Sequence, residues 1–334
     1  MAKTVSGNIV RAGIIGWGMG RHHAKLIAEE PRIELVAVCD LKEERRAQAE
    51  KDYPGIRTYA RMGAMLRRDD IDLAVAVTPH NVHCKHVCQC LAAGKHTVVD
   101  KPMCITAKEA DAMIAAARKA RRTFTVFQNR RLDGDYLTIR DVIAQGLIGE
   151  VFHIECFAGG YREPRDVWRS CKRFSGGAMY DWGAHFIDWI LNLVPSKVVS
   201  VTGFFHKLVW TKFTIEDQTR ALIRFANGTV ADFTLSHIDM VGKERWRVLG
   251  TKGGLTLGPN NTLKVRTLVK GHQADISVKC QDTRWPDYYH NIADHLLDGK
   301  PLLVRPEESR RVIGVIEAAG RSATTGKPAK VPHE

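Results

Sequence analysis

The chain has 334 residues, 44% hydrophobic and 26% charged, the make-up of a soluble globular protein with material for two domains. It holds no run of about 18 apolar residues that would cross a membrane, and its opening MAKTVSGNIVRAG has no apolar signal core, so a cytoplasmic location is expected. The net charge of +13 is spread as +7 through Gln128 and +6 beyond it, with no basic stripe; nucleic acid is not an expected partner, whereas an anionic cofactor or substrate is favoured.

Ile9–Ile15 reads as a short apolar strand, followed by Gly16-Trp17-Gly18-Met19-Gly20 and a helical run over Arg21–Glu29. Strand, glycine turn and helix make a layout that cradles a dinucleotide: glycines let the backbone approach the pyrophosphate, and the helix N-terminus favours its charge. The spacing is one residue shorter than G-x-G-x-x-G, with Arg21 where a third glycine would fall, and a tight structural turn gives the same pattern. The next strand, Glu34–Cys39, ends at Asp40, 24 residues beyond Gly16. An acidic residue there accepts hydrogen bonds from the adenosine ribose and repels a 2′-phosphate, which favours NAD over NADP. Asp40 also suits the start of a helical run over Lys42–Lys51.

The alternation continues with strands at Leu73–Thr78, His96–Asp100 and Thr123–Phe127, and helices at His80–Ala93 and Ala107–Ala120. Strands alternating with helices predict a doubly wound parallel sheet, whose ligands lie beyond the carboxyl ends of its strands. That rule places Gly16, Gly18, Met19, Gly20, Asp40, Thr78, Pro79, Asp100, Lys101 and Gln128 along one rim as candidate cofactor contacts, with His83 close behind. Lys101 is followed by Pro102, which fixes the backbone; a lysine held at the rim beside a nicotinamide ring and a surface lysine in a loop both account for it. Eight cysteines in a protein without a leader are expected to be free thiols. The run His83-Cys84-Lys85-His86-Val87-Cys88-Gln89-Cys90 has metal-like spacing but no second ligand group, and small buried residues explain it; no metal is expected.

Beyond Gln128 the pattern changes. Asn129-Arg130-Arg131 leads into a helix ending near Gly146, Glu150–Phe157 alternates as a strand, and Gly159–Lys172 reads as a long loop. Tyr161, Arg162, Trp168 and Arg169 in that loop, with Arg131 before it, are candidate substrate contacts, since rings stack on sugar faces and guanidinium groups bind hydroxyls or carboxylates; loop packing onto the sheet is the alternative. Gly176–Asn192 then reads as a helix. At roughly 100° per residue, Asp181, His185, Asp188 and Asn192 form one narrow polar stripe opposite a broad apolar face. A carboxylate one turn before an imidazole suits proton handling; the solvated side of an amphipathic helix gives the same stripe. Strand-like runs follow at Lys197–Lys207, Asp217–Ala226, Thr229–Ser236, Arg245–Gly250, Gly254–Leu257 and Thr262–Leu268, with a hairpin signal at Asn227-Gly228. Helices at Tyr288–Leu297 and Pro306–Ala323 close the chain. Successive strands without helices between them predict an α+β half with a mainly antiparallel sheet.

GIIGWGMGRHHA, TPHNVH, GKHTVVDKP and Gly176–Asp188 occur in an order and spacing that resemble the Gfo/Idh/MocA oxidoreductases over nearly the whole chain. Where that family has E-K-P, this chain has Asp100-Lys101-Pro102; its D-x-G-x-H stands as Asp181-Trp182-Gly183-Ala184-His185. The resemblance implies an α/β fold: an N-terminal Rossmann domain over 1–128, binding NAD or, as the weaker expectation, NADP, and a C-terminal α+β domain over 129–334 with a large open sheet. It implies catalytic roles for Lys101, Asp181 and His185 at a site between the two domains. The implied substrate is a sugar, sugar derivative or cyclitol oxidised at a secondary hydroxyl; FQNRRLDGDYLTIRDVI and YREPRDVWR look most like members acting on inositols. An uncovered sheet face implies self-association as a homodimer or homotetramer. Two other readings stand beside it: a bound-NAD enzyme using transient oxidation for elimination, glycoside cleavage or epimerisation, and a non-catalytic nucleotide- or sugar-sensing regulator.

Overall fold

The computed structural model describes residues 7–332 and 334. The chain divides into two compact units. The first runs to Cys104, resumes over Lys108–Gln128 and takes in Trp285–Arg310; the second comprises Ile105–Ala107, Asn129–Arg284 and Arg311–Glu334. The expected domain of residues 129–334 therefore gives up Trp285–Arg310 to the first unit, because the aromatic rings of that return segment pack there: Tyr288 lies 4.9 Å from Phe127, and the Tyr289 hydroxyl sits 2.7 Å from His23 Nδ1.

The first unit is built from β1 (Val10–Ile15), α1 (Trp17–Ala28), β2 (Ile33–Cys39), α2 (Glu43–Asp52), β3 (Arg57–Tyr59), α3 (Met62–Leu66), β4 (Leu73–Ala76), α4 (His83–Ala92), β5 (His96–Val99), α5 (Ala107–Ala120) and β6 (Phe124–Val126). Six parallel strands lie in the order β3-β2-β1-β4-β5-β6. Every residue of β4 and β5 is buried, as a sheet covered on both faces requires. One boundary differs from the sequence reading. α1 begins at Trp17, so Gly18, Met19 and Gly20 form the first turn of the helix and only Gly16 precedes it. Low helix propensity of glycine hid that turn. A Cβ on Gly20 would lie 2.8 Å from Ile14 Cγ2, so Gly20 supplies the close helix–strand packing that the longer motif assigns to its third glycine.

The second unit contains α6 (Gly134–Ala144), β7 (Val151–Gly159), α7 (Lys172–Ser175), α8 (Met179–Leu193), β8 (Val198–His206), β9 (Gln218–Phe225), β10 (Val230–Ser236), β11 (Trp246–Gly250), β12 (Gly253–Gly258), β13 (Thr262–Val269) and β14 (His272–Lys279). After these come α9 (Asp287–Asp298), which belongs to the first unit, and α10 (Pro306–Thr325). The eight strands lie in the order β14-β13-β12-β11-β7-β10-β9-β8, and only β7 and β10 run parallel. This is the open, mainly antiparallel sheet expected. Thr219, Ala221, Ile223 and Phe225 of β9 are buried while Arg220 and Arg224 between them are exposed, the alternation of a sheet with one covered face. α8 packs on the covered face: the Phe186 and Phe233 rings stack at 5.1 Å, and Trp189 lies 5.3 Å from Trp246. β14 has no counterpart in the sequence reading. It is an edge strand with no buried residue, in which Ala274, Ile276 and Val278 alternate, half-buried, with exposed Asp275, Ser277 and Lys279; Lys270 and Gly271, both at positive φ, turn the chain into it.

α10 lies so close to β8 that a Cβ on Gly203 would come within 2.0 Å of the Ala319 carbonyl oxygen. Gly203→Ala is expected to destabilise the protein by about 1–3 kcal/mol, the usual cost of overpacking; an unchanged melting temperature would contradict this account of the contact.

Candidate active site

In the first unit, hydrogen bonds and close contacts tie the strand ends into one rim. Gly16, at φ +96°, sits where a Cβ would meet the Val77 carbonyl at 2.1 Å, and its N–H donates to Cys39 O at 2.7 Å. The Trp17 N–H donates to Asp40 Oδ2 at 2.7 Å, and the Lys42 N–H to Oδ1 at 2.9 Å. Asp40 thus fixes both the glycine turn and the approach to α2. Arg45 Nη1 lies 3.4 Å from Asp40 Oδ2 and also borders the space above Gly18. Asp40 takes only the Trp17 N–H of the first turn of α1, Gly16 adds no side-chain cap, and Gly18 and Met19 are exposed there. Backbone N–H groups at an open helix N-terminus suit a pyrophosphate. The donor set and the space above Gly18 therefore fit a dinucleotide.

Thr78 and Pro79 follow β4, half-buried. His83 is fully buried, with Nδ1 2.8 Å from Pro102 O and Nε2 2.7 Å from Thr78 O. It was expected to touch the cofactor; instead it clamps the loops that follow β4 and β5, having no surface left for a ligand. Burial pushes its pKa below the ordinary value, against these carbonyl contacts and the charge of Asp100. Asp100 is buried and accepts the Lys101 N–H at 2.9 Å, with His23 Nε2 at 3.7 Å. Burial raises its carboxyl, but His23, Lys101 and His83 outweigh that and hold it well below the usual carboxylate range. The side chain of Lys101 is left half-buried at the rim, and Gln128 is buried just past β6. The eight cysteines are free thiols; near His83, Cys90 is buried and Cys84 and Cys88 half-buried, with burial pushing Cys84 and Cys90 up to about 12.

In the second unit, α8 carries the polar stripe. Its approach is set by Gly176 and Gly177, both at positive φ, and by Glu216, whose Oε2 accepts the Ala178 N–H at 2.9 Å and whose Oε1 pairs with Lys172. The stripe is not a solvated face. Asp181 is half-buried, His185 is 4% exposed and Asp188 1%. Only Asn192 is exposed, and its amide donates back to Asp188 O. Gly183 permits close packing on the sheet, since a Cβ there would lie 3.1 Å from Phe233.

Asp188 accepts two hydrogen bonds from Arg131, at 2.7 and 2.6 Å, with both side chains buried. The substrate contact expected of Arg131 is corrected by this: its guanidinium is a buried partner of α8. Arg130 instead lies over the Trp182 ring at 4.7 Å. In the loop after β7, Tyr161 is exposed and bridges Ile238, while the Arg162 N–H donates to His237 O. Arg169 lies over the ring of its neighbour Trp168, 4.4 Å away. Two residues that the sequence did not single out join this wall. Trp210 stands 5.5 Å from Tyr161 and donates its indole N–H to His237 O, and the charge of Asp181 acts on the His237 imidazole. The strand pattern ending at Ser236 was the available signal for His237, since alternation continued by one step puts it on the α8 side.

A parallel sheet with an open glycine turn and an acid-ended second strand defines a dinucleotide-binding Rossmann protein, and its second unit offers a buried carboxylate–imidazole stripe. Residues 10–128 match the model described as "Oxidoreductase family, NAD-binding Rossmann fold", and residues 136–256 match the GFO/IDH/MocA C-terminal domain. The chain belongs to the Gfo/Idh/MocA family of oxidoreductases. Among its relatives, the uncharacterized oxidoreductase YdgJ of Escherichia coli is 36% identical over 94% of this chain and 96% of its own. The scyllo-inositol 2-dehydrogenase (NADP(+)) IolW of Bacillus subtilis is 24% identical over 97% and 96%. The crystal structure of an NAD-binding protein from Listeria innocua superposes with a TM-score of 0.89 at 28% identity, covering 97% of this chain and 98% of that one. No helix among the described residues is long and apolar enough to cross a membrane.

Truncating one member of a buried ion pair leaves the other charge stranded. Asp188→Ala is expected to cost about 3–5 kcal/mol in chemical denaturation, and Asp188→Leu combined with Arg131→Met less than Asp188→Ala alone. Equal losses would show that the pair is not what holds α8 at this point.

Proposed function

We propose that the protein is a nicotinamide-dependent dehydrogenase or reductase acting on a secondary hydroxyl, or the matching ketone, of a sugar, sugar derivative or cyclitol. The observation that carries this reading is the stripe of half-buried Asp181 and buried His185 at the start of α8, in a chain that also has the dinucleotide rim and Lys101. A nicotinamide ring, when bound, accepts hydride from the substrate carbon or returns it. In the oxidising direction His185 takes the hydroxyl proton as the C–H bond gives up hydride and the carbonyl forms. Asp181, one turn earlier, orients the imidazole or the substrate. Lys101 hydrogen-bonds the reacting oxygen and stabilises the charge that develops on it. Tyr161, Arg162, Trp168 and Arg169 are proposed as substrate contacts from the loop after β7.

Asp40 favours NAD, since its carboxylate disfavours a 2′-phosphate. Arg45 beside it works in the opposite sense, and the NADP dependence named for IolW makes the preference a point to measure. A panel of sugars and inositols followed by NADH and NADPH absorbance is expected to show turnover with a preference for NAD. His185→Ala is expected to lower kcat by at least about a hundredfold, the contribution of a general base, while NAD binding persists. Near-normal turnover in that variant would remove His185 from the mechanism, and a strong NADP preference would refute the reading of Asp40.

Self-association through the uncovered face of the eight-stranded sheet is part of the same proposal. That face carries a groove of about 720 Å³ bordered by Arg247, Leu249, Lys264, Arg266 and Leu268, with Leu268 and Val269 exposed. Light scattering should give two or four times the monomer mass, and Leu268→Asp should lower it; a monomer at micromolar concentration would refute the interface.

A further inference from the structure

β10 ends at Ser236, but its pairing runs one residue further. The His237 N–H donates to Asp217 O at 2.7 Å, extending the antiparallel ladder with β9, and His237 O accepts the Arg162 N–H at 3.0 Å on the other side. The extended backbone keeps its alternation, so Phe233, Leu235 and His237 point to one face. That face is the one α8 covers, because the Phe233 ring stacks on Phe186 and touches the space above Gly183. Following the strand past Phe233 leads toward the first turn of α8, where Asp181 stands. Asp181 is the first of the carboxylates that act electrostatically on the His237 imidazole.

The backbone that carries this ring is held on both sides. Its carbonyl is tied down by the Trp210 indole N–H and by Arg162, its N–H by Asp217 O. The ring nitrogens themselves make no hydrogen bond with any described residue, although the ring is half-buried. A half-buried imidazole on a pinned backbone, without a protein partner, has spare hydrogen-bonding capacity aimed where Asp181 and the Tyr161–Trp210 wall converge. The charged groups that face it are Asp181 of α8, Asp217 ahead of β9 and Lys207 after β8. Burial pushes its pKa below the ordinary value, with Lys207 adding to burial and the two carboxylates opposing it. The ring is therefore neutral near pH 7, carrying one donor and one acceptor nitrogen.

Resting on the function proposed above, we infer that His237 is a substrate-specificity residue that hydrogen-bonds a second hydroxyl, next to the one oxidised. The substrate class narrows accordingly to polyols, sugars or cyclitols with a hydroxyl on the carbon adjacent to the reacting carbon. A hydroxyl both donates and accepts, and the neutral imidazole offers either partner to it. Asp181 then serves two imidazoles, His185 at the reacting oxygen and His237 at its neighbour.

The test compares matched substrates, an inositol or sugar that is turned over and its deoxy analogue lacking the adjacent hydroxyl. With His237→Leu, kcat/KM for the parent is expected to fall about tenfold, the scale of one lost hydrogen bond, mainly through KM. The deoxy analogue should change less than about twofold, well under the worth of such a bond. His237→Gln, which keeps a donor and an acceptor, should recover most of the loss, and cofactor binding measured by NAD(P)H fluorescence should match wild type in both variants. Equal effects on parent and analogue, or no effect on either, overturn the inference while leaving the dehydrogenase reading intact. Normal turnover in His185→Ala overturns the general-base assignment alone, and failure of the wild type to oxidise any member of the panel overturns both readings.

Discussion

Two adjacent carboxylates, Glu216 and Asp217, pin the second unit at the point where its chemistry is proposed. Glu216 reaches to the start of α8, taking the Ala178 N–H and pairing with Lys172. Asp217 turns the other way, accepts the N–H groups of Leu208 and Val209, pairs with Lys207 and through its carbonyl holds the His237 N–H. One short stretch before β9 therefore fixes the helix that carries Asp181 and His185 and the strand end that carries His237. Burial raises the Asp217 carboxyl, but Lys207 and the backbone donors more than reverse this and hold it below its usual value. The anionic form is the one its partners require.

Much of the architecture was legible because it rests on local periodicity. Alternating strands and helices announced the parallel sheet, and successive strands with an Asn-Gly turn announced the antiparallel one. What stayed hidden rests on contacts between residues far apart in sequence. Arg131 looked available for a ligand because nothing nearby reveals that Asp188 is its partner, 57 positions on. His83 looked like a rim residue because its motif sits on the rim; only the fold shows its ring turned inward between two carbonyls. The polar stripe of α8 is read by a helical wheel as a solvated face, and the wheel has no means of showing that buried Arg131 answers it. β14 escaped notice for another reason: its Ala274, Ile276 and Val278 alternation is short and only half-buried at the sheet edge, and stands out little among polar neighbours.

The open face of the sheet is not an apolar plain. Arg220 pairs with Asp232, Lys243 and Arg247 with Glu155, and Arg266 with Asp275, forming cross-strand rows of opposite charge. Burial raises the Glu155 carboxyl, but Lys243 and Arg247 outweigh it and bring the group to about 2. Such rows stabilise neighbouring strands and set register. They also make any surface that docks there one chosen by charge pattern more than by hydrophobic area, with salt sensitivity to match.

The His83 clamp has a mechanical corollary. An imidazole ring has no internal torsion, so the separation of the Thr78 and Pro102 carbonyls is set by a rigid spacer. The neutral ring donates to one of these carbonyls and packs against the other, which couples the loops after β4 and β5 through a single buried side chain. A ligand that settles on one finds the other already in register, and little ordering entropy is left for it to supply on arrival. Grip on the dinucleotide would then depend on how well a preformed mould fits, with little help from folding a loop around it.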